Sequence, residues 1–258
     1  MRSPPPLKGE RKPFVPKKRG FEANASDPGW IWGVHAVLAA LANPARKIQR
    51  LAATRNGAGH VPPGMAFDLV EPADLDHLLP PQAVHQGLAL KSAPLEPLSL
   101  EEACLPPDGR PVLILDGVTD PQNVGAMFRS AAAFGVRAVI LQDRKSPPLT
   151  GALAKAAVGA IDAVAHARVV NIARTIEQLG EAGYCSVGLA GGAAFSAREA
   201  LRDPRPIALV IGAEDKGLRP LVAERCERLA FIPMAPAMES LNASVAAAIA
   251  LYEIAQRG

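Results

Sequence analysis

Through the second half of the chain, apolar runs of strand length alternate with segments of helical periodicity. Val112–Leu115, Ala138–Leu141, Tyr184–Leu189, Ile207–Ile211 and Leu229–Ile232 read as strands, most of them apolar throughout, while Val124–Ala133, Ile172–Leu179, Leu221–Cys226 and Ala243–Ala255 read as helices. Such βα repetition predicts an α/β fold with a parallel sheet covered on both faces, because each crossover lays its helix over the sheet. Ligands of open sheets of this type sit beyond the C-terminal ends of the strands.

The first half is patterned differently. A helix over Val34–Ala42 and strands over Ile48–Ala53, Ala66–Val70 and Val84–Leu90 predict a small α/β domain spanning 30–93. Residues 94–111 hold Pro94, Pro97, Pro106, Pro107 and Pro111, a cluster that interrupts helix and strand alike and predicts an interdomain linker. The expected division is therefore a basic arm at 1–29, the small domain at 30–93, the linker, and a larger domain at 112–258.

Composition sharpens this picture only in places. With 49% hydrophobic and 21% charged residues, the chain is globular, and 258 residues suffice for two units. The formal net charge of +3 conceals an asymmetry, since residues 1–20 carry seven Lys/Arg against one Glu and the rest is net acidic. A proline-interrupted basic arm of this kind stays disordered and either solvates the protein or is drawn to a polyanion. Cys104, Cys185 and Cys226 form no C-x-x-C pair, and the five histidines have no metal-ligand spacing. No disulfide framework and no metal are expected, His35 and His85 are read as packing residues, and free thiols fit a reducing cytoplasm. The apolar run Val245–Leu251 falls well short of the ~18 residues of a spanning helix.

Three segments carry candidate chemistry. After the strand Val112–Leu115, Asp116-Gly-Val-Thr-Asp-Pro-Gln-Asn123-Val-Gly125 runs into a helix bearing Arg129. Asn123 is placed to cap that helix, Gly125 to admit close backbone approach, and Arg129 within two turns of the start to face a phosphate. Alone, this segment reads first as an ordinary βα turn with a capped helix and an exposed arginine. The second segment, Ile207 to Leu218, ends a buried strand in Gly212-Ala-Glu214-Asp-Lys-Gly217, where bare backbone admits a cofactor and a carboxylate positions a hydroxyl or caps a helix. The third, Phe231-Ile232-Pro233-Met234 followed by Glu239-Ser240-Leu241-Asn242-Ala-Ser244, opens the last helix with residues that cap, or that bond a ribose.

In this order and spacing the three segments resemble the SpoU-type branch of the SPOUT superfamily, which methylates ribose 2′-hydroxyls of RNA with S-adenosylmethionine. The resemblance runs from Val112 to Arg257, and Trp32-Gly33-Val34-His35-Ala36-Val37 with Ala83-Val84-His85-Gln86-Gly87 extends it to an RNA-binding N-terminal domain of L30e type, as in bacterial enzymes that act on a guanosine of large-subunit rRNA. It implies a C-terminal trefoil knot, a homodimer with the active site at its interface, and RNA, in particular rRNA, as partner. It also implies catalytic roles for Asn123, Arg129, Glu214, Ser240 and Asn242, and cofactor contacts from Gly212, Ile232 and Leu241. Because a guanidinium titrates above ~12, Arg129 is read first as a clamp on the target phosphate and the developing alkoxide, with proton acceptance second. Two segments depart from the pattern: 55–66 is too short and broken for the helix relatives have there, and Pro236 stands where relatives place Gly.

Other readings compete. A tRNA 2′-O-methyltransferase, or an RNA-binding ribosome-assembly factor without catalysis, would use the same scaffold. A nucleotide-dependent oxidoreductase has only Asp143 in its favour and lacks the Gly-rich fingerprint after Leu115.

Overall fold

The computed structural model describes residues 29–235 and 240–257, so the basic arm and Pro236 lie outside the described residues. The first unit comprises β1 (Trp30–Trp32), α1 (Val34–Ala42), β2 (Ile48–Ala53), a 3-10 turn at Gly57–His60, β3 (Asp68–Leu69), α2 (Pro72–Leu78) and β4 (Leu88–Ser92). Its sheet has the order β1-β4-β2-β3, with β4 antiparallel to both neighbours and β3 parallel to β2. After α3 (Leu100–Cys104) come β5 (Val112–Asp116), α4 (Pro121–Ala133), β6 (Ala138–Gln142), α5 (Gly151–Ala157), α6 (Ala160–Ala163), β7 (Ala165–Val169), α7 (Ile172–Glu181), β8 (Cys185–Leu189), β9 (Phe195–Ser196), α8 (Ala197–Ala200), β10 (Ile207–Gly212), α9 (Pro220–Arg225), β11 (Arg228–Phe231) and α10 (Ala243–Ala255). These strands form the expected parallel sheet, in the order β7-β6-β5-β10-β8-β11-β9.

Alternation along β5 explains both layers. Leu113 and Leu115 face α4 and α10 in a cluster with Met127, Phe128 and Leu251, whereas Val112 and Ile114 face Ile172, Ile176 and Tyr184 on the opposite side. The first cluster runs on without a break into Ile31, Leu51, Leu88 and Leu90 of the small sheet. A buried ion pair reinforces that junction: Arg46 Nε donates to Asp162 Oδ1 at 2.8 Å and Nη2 to Oδ2 at 3.2 Å, and Asn43 Nδ2 donates to Oδ1 at 2.9 Å.

Several expectations need correction. The strand read at Val84–Leu90 begins only at Leu88, because Gln86 and Gly87 adopt φ of 54° and 80° and turn the chain first. The strand read at Ala66–Val70 shrinks to Asp68–Leu69. The proline-rich segment carries α3, whose start is a capping box: Ser99 Oγ accepts from Glu102 N at 3.2 Å while Glu102 Oε2 accepts from Ser99 N at 2.9 Å. That helix lies against the larger sheet, where Tyr184 donates its hydroxyl proton to the Cys104 carbonyl at 2.8 Å. Gly125 does permit a close approach, but the approaching element is α5, since a Cβ there would lie 2.6 Å from Ala156 Cβ.

Arg46 has a fully buried side chain, so removing its partner strands a charge. Asp162→Ala is expected to lower unfolding free energy by about 3–5 kcal/mol, read as a shifted urea midpoint at unchanged slope.

Candidate functional site

β5 and β10 lie side by side in register, with Gly212 opposite Asp116 at their C-terminal ends. From β5 the chain crosses to β6 on one side, while β8 and β11 lie on the other side of β10, so a crevice opens at this end of the sheet. Three segments converge there. Asp120, not Asn123, is the N-cap of α4, its carboxylate accepting from Gln122 N and Asn123 N at 3.2 Å each. The side chain of Asn123 is thereby left for other partners. At the start of α10, Asn242 is a cap as expected: its Oδ1 accepts from Ser244 N at 2.9 Å, Ser244 Oγ at 2.6 Å and Val245 N at 3.4 Å.

With its oxygen so committed, the amide nitrogen of Asn242 points inward and donates to Asn123 Oδ1 at 2.9 Å and to Glu214 Oε2 at 3.1 Å. Asn123 Nδ2 donates to the same Glu214 oxygen at 3.1 Å. The result is a closed triangle of side chains 91 and 119 residues apart in sequence from Asn123. Glu214 is exposed, and its other oxygen, Oε1, makes no hydrogen bond among the described residues. A carboxylate oriented by two amides and open on one side is placed to accept from an incoming hydroxyl.

Beside the triangle lies a cavity of about 410 Å³ bounded by Gly212, Glu214 and Gly217 from the loop after β10, by Leu189–Gly191 after β8, and by Ile232, Met234, Ser240 and Leu241. Its floor requires glycine. A Cβ on Gly212 would lie 2.1 Å from the carbonyl carbon of Gly217, and Gly217 itself has φ of 61°. The loop is closed by paired backbone bonds, Ala213 N to Gly217 O at 3.1 Å and Gly217 N to Ala213 O at 2.8 Å. It is tied down by Arg219, whose backbone N and Nε donate to Asp116 Oδ2 and Oδ1 at 2.9 and 2.7 Å.

Of the residues singled out in the sequence, the structure joins Asn123, Glu214 and Asn242 by hydrogen bonds and sets Gly212, Ile232, Ser240 and Leu241 around the adjoining cavity. Arg129 is not among them. It is exposed, makes no hydrogen bond or ion pair among the described residues, and lines a groove between α4 and α10 with Phe134, Val245 and Ile249. Sequence reading missed Asp116, Arg219 and the Leu189–Gly191 turn. An acidic residue closing an otherwise apolar strand, and paired glycines after another, were the signals present.

Residues 110–252 match the model of the SpoU rRNA Methylase family. The chain is 38% identical to a 23S rRNA (guanosine-2′-O-)-methyltransferase, RlmB, of Pseudomonas aeruginosa, across 87% of this chain and 94% of that one. It is 44% identical to the protein of the same name from Vibrio vulnificus, over 66% of this chain and 70% of the relative. A solved S-adenosylmethionine-bound rRNA methyltransferase from Sinorhizobium meliloti superposes with a TM-score of 0.74 at 25% identity, covering 88% of this chain and 86% of its own.

Gly212→Ala is expected to force the Gly217 carbonyl into the cavity and weaken S-adenosylmethionine binding at least tenfold, about 1.4 kcal/mol, by calorimetry. Gly192→Ala, a position with open space around it, is the control expected to bind as the parent does.

Proposed function

Because the chain belongs to the SpoU rRNA methylase family, we propose that it transfers a methyl group from S-adenosylmethionine to the 2′-hydroxyl of a ribose in RNA, the target being a guanosine of large-subunit rRNA. The observation that carries this reading is the Asn123–Glu214–Asn242 triangle at the rim of the glycine-floored cavity. The names of the Pseudomonas and Vibrio relatives supply the guanosine and the 23S rRNA.

The cavity suits that cofactor on its own terms. Leu189, Ile232 and Leu241 offer apolar surface to a flat ring, the bare backbone of Gly212 and Gly217 offers close approach, and Ser240 stands at the mouth. Bound there, S-adenosylmethionine would supply an electrophilic methyl group. The protein's own part is positioning and charge stabilisation. Glu214 Oε1 accepts from the ribose hydroxyl, and the two asparagine amides hold that carboxylate in place. A guanidinium keeps its proton, so the hydroxyl proton passes to Glu214 Oε1 while Arg129 grips the neighbouring phosphate and steadies the oxygen left behind.

Within one protomer Arg129 makes no hydrogen bond to the triangle among the described residues and lines the groove between α4 and α10. A second copy of the chain seated on that groove would cover Val245 and Tyr252, both about half exposed, and bring the Arg129 of one protomer to the cofactor cavity of the other. We therefore read the active form as a homodimer with a shared site. The same reading divides the chain into the arm at 1–29, an L30e-like RNA-binding domain at 30–93, a connecting segment and a methyltransferase domain from 112 whose C-terminal segment threads a trefoil knot. No helix among the described residues is long and apolar enough to cross a membrane, and the three free thiols suit work in the cytosol.

Arg129→Ala is expected to slow methyl transfer by about 10²–10³-fold while calorimetric cofactor binding stays at the parental level. Mixing that variant with inactive Glu214→Gln restores part of the turnover if the site is shared between protomers, and none if it is not. Mapping 2′-O-methyl groups in rRNA and tRNA from cells with and without the gene is expected to show one large-subunit guanosine lost; a missing tRNA methyl group instead would reassign the substrate.

A further inference from the structure

Where the small sheet meets the larger unit, a second cleft of about 590 Å³ opens, within the ~300–1,000 Å³ typical of small-ligand sites. It is separate from the cofactor cavity but borders the same active-site helix, because Pro121 and Gln122, which line it, directly precede Asn123 on α4. Its walls are apolar: Pro81, Pro147 and Pro148, with the largely buried Trp30, Trp32 and Leu153 behind them. Against these walls converge Gln82, Gln122 and Thr150, whose side chains make no hydrogen bond among the described residues. Lys155 is the one charged residue among the described residues of the lining, and its ammonium group donates to Gln86 Oε1 at 2.9 Å.

The turn that forms one lip is strained. Gln82 and Gln86 have φ of 65° and 54°, two of the three non-glycine residues among those described that adopt the left-handed region. Glycine would relieve that cost, whereas glutamine keeps an amide at each place. Between them Val84 stands 65% exposed. Apolar faces, uncommitted amides able to pair with the edge of a heterocycle, and a single cation suited to a phosphate form a complementary set. It is the set by which proteins hold a base splayed out of a single-stranded or looped RNA.

We propose that this cleft takes an unstacked base of the substrate RNA adjacent to the methylated ribose, with Gln82 and Gln122 reading its edge and Lys155 meeting its phosphate. The inference rests on the RNA-methylating reading above and adds where neighbouring sequence is recognised.

The test uses the full chain and 23S rRNA fragments that carry the methylated ribose, varied one nucleotide at a time on either side of it. Ala152, exposed on α5 and lining the cleft, is replaced to fill the space. Ala152→Trp is expected to raise KM for RNA at least tenfold with calorimetric S-adenosylmethionine binding unchanged. Gln82→Ala and Gln122→Ala are expected to flatten the preference at one flanking position about tenfold, with kcat on the preferred fragment less affected than KM. The two glutamine variants carry the test alone if Ala152→Trp fails to fold. Parental KM and parental base preference in variants that still turn over would overturn the proposal, as would a preference that shifts only at the methylated nucleotide itself. A parent protein that transfers no methyl group to any fragment removes the underlying reading, and this one with it.

Discussion

A carboxylate at the end of a buried strand must find donors or cost the fold several kcal/mol, and Asp116, 1% exposed at the tip of β5, finds them all in Arg219. That pairing joins the chain to itself across 103 residues and pins the loop that follows β10. Everything chemical at this end of the sheet depends on where the loop lies. Gly212 and Gly217 form the cavity floor, Glu214 leaves the loop to meet two asparagines, and the register of β10 on β5 sets how far each can reach. This end of the sheet is thus held by an ion pair, the paired Ala213–Gly217 backbone bonds and a close glycine contact, on a sheet whose apolar faces supply the stability.

Much of the larger unit was legible because most of its strands are apolar throughout, α4 and α7 carry a helical period, and the run of α10 is too long for a strand. β7 escaped because AHARV mixes polar and apolar residues, and α5 and α6 because a run of Ala and Gly after two prolines carries no clear period. α3 is only five residues long and lies between Pro97 and Pro106, so its one sequence signal is the Ser99–Glu102 capping box. At the site, each of the three segments alone read as an ordinary cap or turn, and only their joint resemblance to the SpoU-type pattern singled out the residues that form the triangle and line the cavity. Arg129 is different: its place on α4 follows from helical geometry, and the structure sets it in the groove between α4 and α10, without a bond to the triangle.

The junction between the two sheets is the least expected feature of the fold. A proline-rich connector reads as a tether, yet the hydrophobic cluster is continuous across it, and Arg46, Asn43 and Asp162 add a buried polar knot. The cleft lined by Trp30, Trp32 and Gln122 is consequently walled by packed elements on both sides.

Asn242 shows how tightly this architecture couples the start of a helix to the geometry of the triangle. Its carbonyl oxygen starts α10 and its amide nitrogen completes the triangle, so helix stability and site geometry share one side chain. Aspartate would start the helix equally well but would set a second negative charge against Glu214, and serine is too short to span both tasks. One substitution there is therefore felt twice, at the first turn of α10 and in the orientation of Glu214.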